Sequence, residues 1–129
     1  MRRLLEEFSP VGVKFWLVYP DSSEPVEAVR QHIKEYAYGG LRALRDSQHN
    51  LVKLTGVQVT PEVAVFVPGR NGARMVYRGR IDDRIIAFGK TRSAPITRDL
   101  KLTLEDIVKG RQVTTKTTTA IGCFIPELQ

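Results

Sequence analysis

One sulfur, two histidines and an adjacent pair of aspartates are the groups in this chain whose types could do chemistry. Cys123 is the only cysteine in 129 residues, so no internal disulfide can form. It could act as a resolving or redox-sensing thiol toward a sulfur elsewhere. Its neighbours Ile121, Phe124 and Ile125 offer no cation to lower its pKa, although Gly122 leaves access open; an inert apolar thiol is therefore expected. Asp82 and Asp83 supply two carboxylates, but adjacent side chains on extended chain point to opposite sides, so ion pairing with Arg80 and Arg84 is expected rather than a metal site. His32 and His49 have no Cys or second His at ligand spacing, which predicts surface or capping roles. Ser22, Ser23 and Ser47 lack a Gly-x-Ser-x-Gly context for a hydrolase nucleophile. Gly69-Arg70-Asn71-Gly72 reads as a turn, with no phosphate-loop pattern around it.

Thr60-Pro61 is the other notable step. It stands before the apolar run 63–67, and a proline is tolerated there because the start of a strand does not need its missing N–H. Charge adds a further feature. Residues 1–69 carry eight Lys/Arg against eight Asp/Glu, and residues 99–129 carry four of each, so the net +6 sits wholly within 70–98. There Arg70, Arg74, Arg78, Arg80, Arg84, Lys90, Arg92 and Arg98 face only Asp82 and Asp83. Such a patch can attract phosphates, acidic proteins or anionic membranes. A solvated hairpin and loop is the plainer reading, and with no aromatic interleaving nucleic acid is not expected as a partner.

These residues need a scaffold. Leu4, Leu5 and Phe8 predict a helix over 2–8, ended by Pro10-Val11-Gly12. Residues 13–19 are almost continuously apolar, as in a strand covered on both faces. Pro25 opens a second helix with Val26, Val29, Ile33 and Ala37 inward, stopped by Gly39-Gly40. A short strand at 41–44 follows, then a brief helix capped by Asp46 or Ser47 and ending at Gly56. Strands at 63–67 and 74–79 flank the turn 68–72, where Asn71-Gly72 signals a hairpin. Residues 80–97 read as irregular loop. Thr97 or Asp99 caps a last helix with Leu100, Leu104, Ile107 and Val108 as its stripe and Gly110 as its stop. The β-branched run 113–121, within a tail over 111–129, reads as an extended strand. The order predicts one α/β domain over 1–129, with a mixed, mainly parallel sheet and helices on both faces.

The segments Phe15-Trp16-Leu17-Val18-Tyr19-Pro20-Asp21, Val59-Thr60-Pro61-Glu62-Val63-Ala64-Val65-Phe66, Tyr77-Arg78-Gly79-Arg80-Ile81-Asp82-Asp83-Arg84 and Ala120-Ile121-Gly122-Cys123 carry a resemblance across nearly the whole chain. It resembles the thioredoxin-like redoxin-domain proteins related to alkyl hydroperoxide reductase and thiol-specific antioxidant. The resemblance implies a thioredoxin-like fold, truncated at its N-terminus, and an oxidoreductase or antioxidant role in redox homeostasis. It implies a thiol or disulfide protein, or a peroxide, as substrate, with no cofactor. Thr60 and a cis Pro61 would face that substrate, and Arg78, Arg80 and Arg84 would offer an anion or partner surface. The segment that carries the nucleophilic cysteine in such proteins has no counterpart at any position here. Weak activity or none is therefore expected of the chain as given, the alternative being a non-catalytic binding module that uses the Pro61 face or the 70–98 surface.

In that arrangement a strand separates 13–19 from 63–67. Its loss would leave unpaired backbone groups costing about 1–3 kcal/mol each, so the Thr-rich tail, or a strand from another copy in a homo-oligomer, is expected to fill the gap. No apolar run approaches the roughly 20 residues of a membrane span. Residues 1–8 do not resemble an export signal, which reads as cytoplasmic as written, or exported if the true start lies upstream.

Overall fold

The computed structural model describes residues 2–21, 23–35, 41–87 and 89–126. Within it the chain divides into two compact units: residues 1–54 with 125–129, and residues 55–124. Ser22, Ala37 and the expected helix stop at Gly39-Gly40 lie outside the described residues.

In the first unit, α1 (Arg2–Phe8) runs into a single turn of 3-10 helix over Ser9–Val11, closed by Gly12 at φ 96°. Leu4 and Phe8 are buried, as their shared face requires. Strand β1 covers only Trp16–Tyr19. Residues 13–15 were expected to belong to it. Instead the Val13 amide donates to the Phe8 carbonyl at 3.2 Å, and the ladder partner extends no further than Arg42. β1 is followed by α2 (Val26–Glu35) and β2 (Arg42–Arg45), and the two strands pair in parallel, Trp16 with Arg42 through Tyr19 with Arg45. This is a β-α-β crossover, whose helix carries the chain back to the end where a parallel strand can start.

The strand is not covered on both faces. Trp16 is 48% and Val18 39% exposed, because a two-stranded ladder buries little of either face; the Arg42 guanidinium lies 5.2 Å from the Trp16 ring. On α2 only Val29 is buried, and Val26, expected inward, is 43% exposed at the first helical position. Helix α3 (Asn50–Thr55) is started by Asp46, as expected: its Oδ2 accepts the Val52 amide at 2.9 Å. Both histidines make specific hydrogen bonds; His32 is half-buried, and His49 immediately precedes α3, its carbonyl accepting the Lys53 amide. The buried His49, with φ 58°, donates from Nε2 to the Pro20 carbonyl at 2.8 Å, and His32 Nδ1 lies 2.7 Å from the Tyr19 hydroxyl.

The second unit holds β3 (Val59–Thr60), β4 (Val63–Gly69), β5 (Gly72–Gly79), β6 (Ile85–Ala87), β7 (Lys90–Thr91), α4 (Asp99–Val108) and β8 (Cys123–Phe124). The β4–β5 hairpin forms as predicted, turning on Arg70-Asn71 with Gly72 at φ 97° and a bulge at Val65/Phe66. Residues 80–97 are not wholly irregular, since β6 and β7 make a second antiparallel hairpin there. Helix α4 buries Leu100 and Leu104 but leaves Val108 44% exposed. Its N-cap is Arg98 without a side-chain bond, and neither Thr97 nor Asp99 caps it. Instead Asp83 Oδ1 accepts the amides of Ile96 and Thr97 at 2.7 and 2.9 Å, just before the helix.

The protein is α/β, but its sheet is not mainly parallel. Among the described residues there are four two-stranded ladders, β1–β2 parallel and β3–β8, β4–β5 and β6–β7 antiparallel. Nor does the tail pair with β1 or β4 among the described residues. It forms one parallel bridge, Thr117 with Arg78 on β5, and then the two-residue β8 against β3. The reason lies at the end of β5: the Arg78 amide donates to Lys116 at 3.0 Å and its carbonyl accepts from Thr118 at 3.2 Å, so the tail satisfies that edge.

Candidate functional site

The residues singled out for thiol chemistry come together on one ladder. β3 and β8 are antiparallel, with Thr60 paired to Cys123 and Val59 to Phe124. Thr60, Pro61 and Cys123 are all exposed, and the Thr60–Pro61 peptide bond is cis, the geometry implied by the resemblance. The expectation of an apolar, concealed setting for the sulfur does not hold. Ile125 is buried, but Cys123 is an exposed free thiol and Phe124 is 80% exposed, because among the described residues β8 has only β3 beside it and so short a ladder leaves both faces open.

Gly122 allows this approach. A Cβ there would lie 2.7 Å from the Thr60 carbonyl carbon and closer still to its oxygen, so no larger residue could hold β8 against β3 without a shift. The loop leading to Thr60-Pro61 is braced from β5. Arg78 Nη1 donates to the Gly56 carbonyl at 3.0 Å, and its Nε lies 3.8 Å from Glu62 Oε2. The Glu62 side chain is 8% exposed, and its other oxygen accepts the Gln58 amide at 3.1 Å. Arg78 thus positions the loop, and Glu62 was not foreseen because a lone Glu beside a proline carries no pattern of its own.

A second brace holds the tail. The Tyr77 hydroxyl donates to the Arg80 carbonyl at 2.6 Å, and the Arg80 amide donates to Thr118 Oγ1 at 3.0 Å. Tyr77 has one proton and gives it to Arg80, so Thr118 must donate in the 2.7 Å contact between the two hydroxyls. Burial, foremost, pushes the Tyr77 hydroxyl above its ordinary pKa of 10.0. Gly79 lies between them at φ 153°, where a Cβ would meet the Thr118 carbonyl oxygen at 2.6 Å and amide at 2.8 Å.

Of the three arginines expected to form an anion surface, Arg78 and Arg80 are committed to carboxylates. Arg80 Nε donates to Asp99 Oδ2 at 2.7 Å, a bond that raises the guanidinium pKa further. Arg84 alone of the three remains exposed without an ion pair among the described residues. The expected pairing of Asp82 and Asp83 with Arg80 and Arg84 is also different. Asp82 Oδ1 accepts the Arg84 backbone amide at 2.9 Å, and Asp83 pairs with Arg92 at 3.9 Å. Backbone amides, that of Thr97 foremost, hold the Asp83 carboxyl below its ordinary 3.8.

A polar cleft of about 200 Å³ lies between α4 and residues 113–115, lined by Asp99, Thr103, Asp106, Thr114 and Thr115 among others. Both of its carboxylates are occupied, Asp99 by Arg80 and Asp106 by Arg111 at 3.1 Å. Among the described residues no group of three or more His, Cys, Asp or Glu could hold a metal ion, and no helix is long and apolar enough to cross a membrane.

No family model matches the sequence, and no curated protein does. Among solved structures, the chain is similar to a hypothetical protein from Sinorhizobium meliloti 1021, at 26% identity and TM-score 0.72 over 95% of this chain and 66% of that one. It is also similar to an uncharacterized conserved protein from Geobacillus kaustophilus, at 25% identity and TM-score 0.73 over 98% and 67%. The chain therefore shares its fold with two uncharacterised proteins and spans about two thirds of the length of each.

Proposed function

We propose that this is a thioredoxin-like domain of redoxin lineage in which Cys123 exchanges with a sulfur on a partner held at Thr60-Pro61. The observation that carries the reading is the β3–β8 register, which sets the one thiol of the chain opposite Thr60 and beside Pro61, all three open to solvent. Supporting it, the β1-α2-β2 unit, the β4–β5 hairpin after Pro61 and the later α4 follow in the order that the resemblance requires. In the exchange, the Cys123 thiolate, its proton given to water, attacks one sulfur of a partner disulfide. The old S–S bond breaks, a new one joins Cys123 to that sulfur, and the other sulfur leaves as a thiolate. With no second cysteine, release needs a thiol from a further molecule, so sustained dithiol reductase turnover by this chain alone is expected to be slight.

Incubation with oxidised glutathione, followed by intact mass measurement, tests the reading. One glutathione adduct should appear and be lost in Cys123→Ser, while insulin reduction and peroxide consumption at neutral pH stay near background. Robust turnover that survives Cys123→Ser, or a Cys123 that forms no adduct in the folded chain, overturns it.

A further inference from the structure

The positive excess of the chain is concentrated in residues 70–98, where Arg78, Arg80 and Arg92 have carboxylate partners but, among the described residues, other cations do not. Residues 70–98 hold eight Lys/Arg and two Asp, and both aspartates are turned to the backbone of their own loop. Asp83, 9% exposed, takes the Ile96 and Thr97 amides on Oδ1, and its own amide donates to the Thr97 carbonyl at 3.1 Å. Arg92 Nε donates to the Asp83 carbonyl at 3.1 Å, and the Arg92 amide to Arg84 at 2.7 Å. One buried aspartate therefore ties the base of the β6–β7 hairpin to residues 96–97. Arg84 and Arg98 each follow a residue of the Asp83–Thr97 pair, and Lys90 pairs with Ala87 across the hairpin. All three cations are exposed and make no ion pair among the described residues. Beside them Ile86 is 48% and Ile96 74% exposed.

We propose that this loop cluster docks an extended acidic peptide segment of a partner protein, one whose carboxylates alternate with apolar side chains. The three cations supply the charge complement and the two isoleucines the apolar contact. β6 and β7 form a ladder of their own, with no strand beside either outer edge among the described residues, so an extended peptide can also bond along an edge. A membrane surface offers those edges no strand to pair with. The proposal does not depend on the thiol reading, since it involves neither Cys123 nor Pro61.

The test is fluorescence anisotropy of the full chain with a labelled peptide of about 12 residues alternating Glu and Val. Binding should weaken about tenfold or more between about 50 and about 300 mM salt, as charge pairing at an exposed surface is screened. The triple variant Arg84→Ala, Lys90→Ala, Arg98→Ala, which leaves the Asp83 network in place, should lose about tenfold. Neutralising Arg3 and Arg30 in the first unit should change nothing, and Ile86→Ser with Ile96→Ser should weaken binding at every salt concentration. An unchanged triple variant overturns the proposal. So does a Lys/Val peptide that binds as well as the Glu/Val one, or capture by phosphatidylserine vesicles without peptide binding. The peptide comparison needs no variant, so it stands even if the triple variant proves unstable.

Discussion

Asp99 receives Arg80 with both carboxylate oxygens, Nε at 2.7 Å and Nη2 at 3.4 Å, at the first turn of α4. The pair links the end of β5 to the last helix, and the acid stands where the helix macrodipole favours it. Asp99 is only 8% exposed, so Asp99→Asn, which leaves the guanidinium without a charged partner, should destabilise the fold by about 1.5–3 kcal/mol. Urea unfolding of the two proteins side by side checks this.

The Tyr77–Thr118–Arg80 ring should behave as a unit. Tyr77→Phe leaves Thr118 and the Arg80 carbonyl without that partner and should cost about 1–3 kcal/mol. Thr118→Val breaks the same ring and should add much less on top of Tyr77→Phe than it costs alone. A double-mutant cycle in denaturant measures the difference, and fully additive costs would show that the ring does not act together.

Gly79→Ala should be among the most damaging single-methyl changes in the chain. Its φ of 153° suits glycine, and the added carbon would collide with Thr118 backbone. Strain of this type is worth about 1–3 kcal/mol before the tail is displaced. Amide exchange at Thr118, which donates to Arg78, should speed up in the variant by at least tenfold.

Acid should act through Asp83. Its folded pKa lies below the ordinary 3.8, because the Thr97 and Ile96 amides and Arg92 favour the charged form. A carboxylate depressed in this way contributes stability that is present above its unfolded pKa and lost as pH falls through the folded value. The thermal midpoint should therefore drop as pH is lowered below about 4, and Asp83→Asn should start lower at pH 7 and decline less steeply. Midpoints recorded from pH 7 down to about 2.5 test the sign.

Much of the local structure was legible because it is written in short-range patterns. The Leu4/Phe8 face, the Asn71-Gly72 hairpin signal and the Leu100/Leu104 stripe each reflect contacts within a few residues, and each corresponds to an observed element. Helix α4 illustrates where such reading stops. Asp99 has the chemistry of a cap, but a partner 19 residues back, Arg80, claims its oxygens. Asp83, which resembled half of a surface ion cluster, serves the backbone 13 and 14 residues ahead. The β-branched run 113–121 was read by propensity as a strand, yet only Thr117 makes a bridge, since propensity does not say whether an edge is free to receive it.

The same division holds at the site. Cys123, Thr60 and Pro61 stood out individually, by rarity and by position. That Cys123 pairs with Thr60 depends on Gly122 permitting a close backbone approach, a relation between residues 62 positions apart that no local pattern encodes. The apolar neighbours of Cys123 suggested concealment, but on a two-residue strand only Ile125, just beyond it, is buried.

Having a single cysteine, with its thiol exposed, sets the valency of this 129-residue chain under oxidation. Each such chain can be tethered to one other and no more, so oxidative crosslinking ends at covalent pairs or small-thiol caps and cannot propagate into a network. By the same arithmetic, a maleimide dye would mark every copy at one known place, beside Thr60, and report on that strand pair alone.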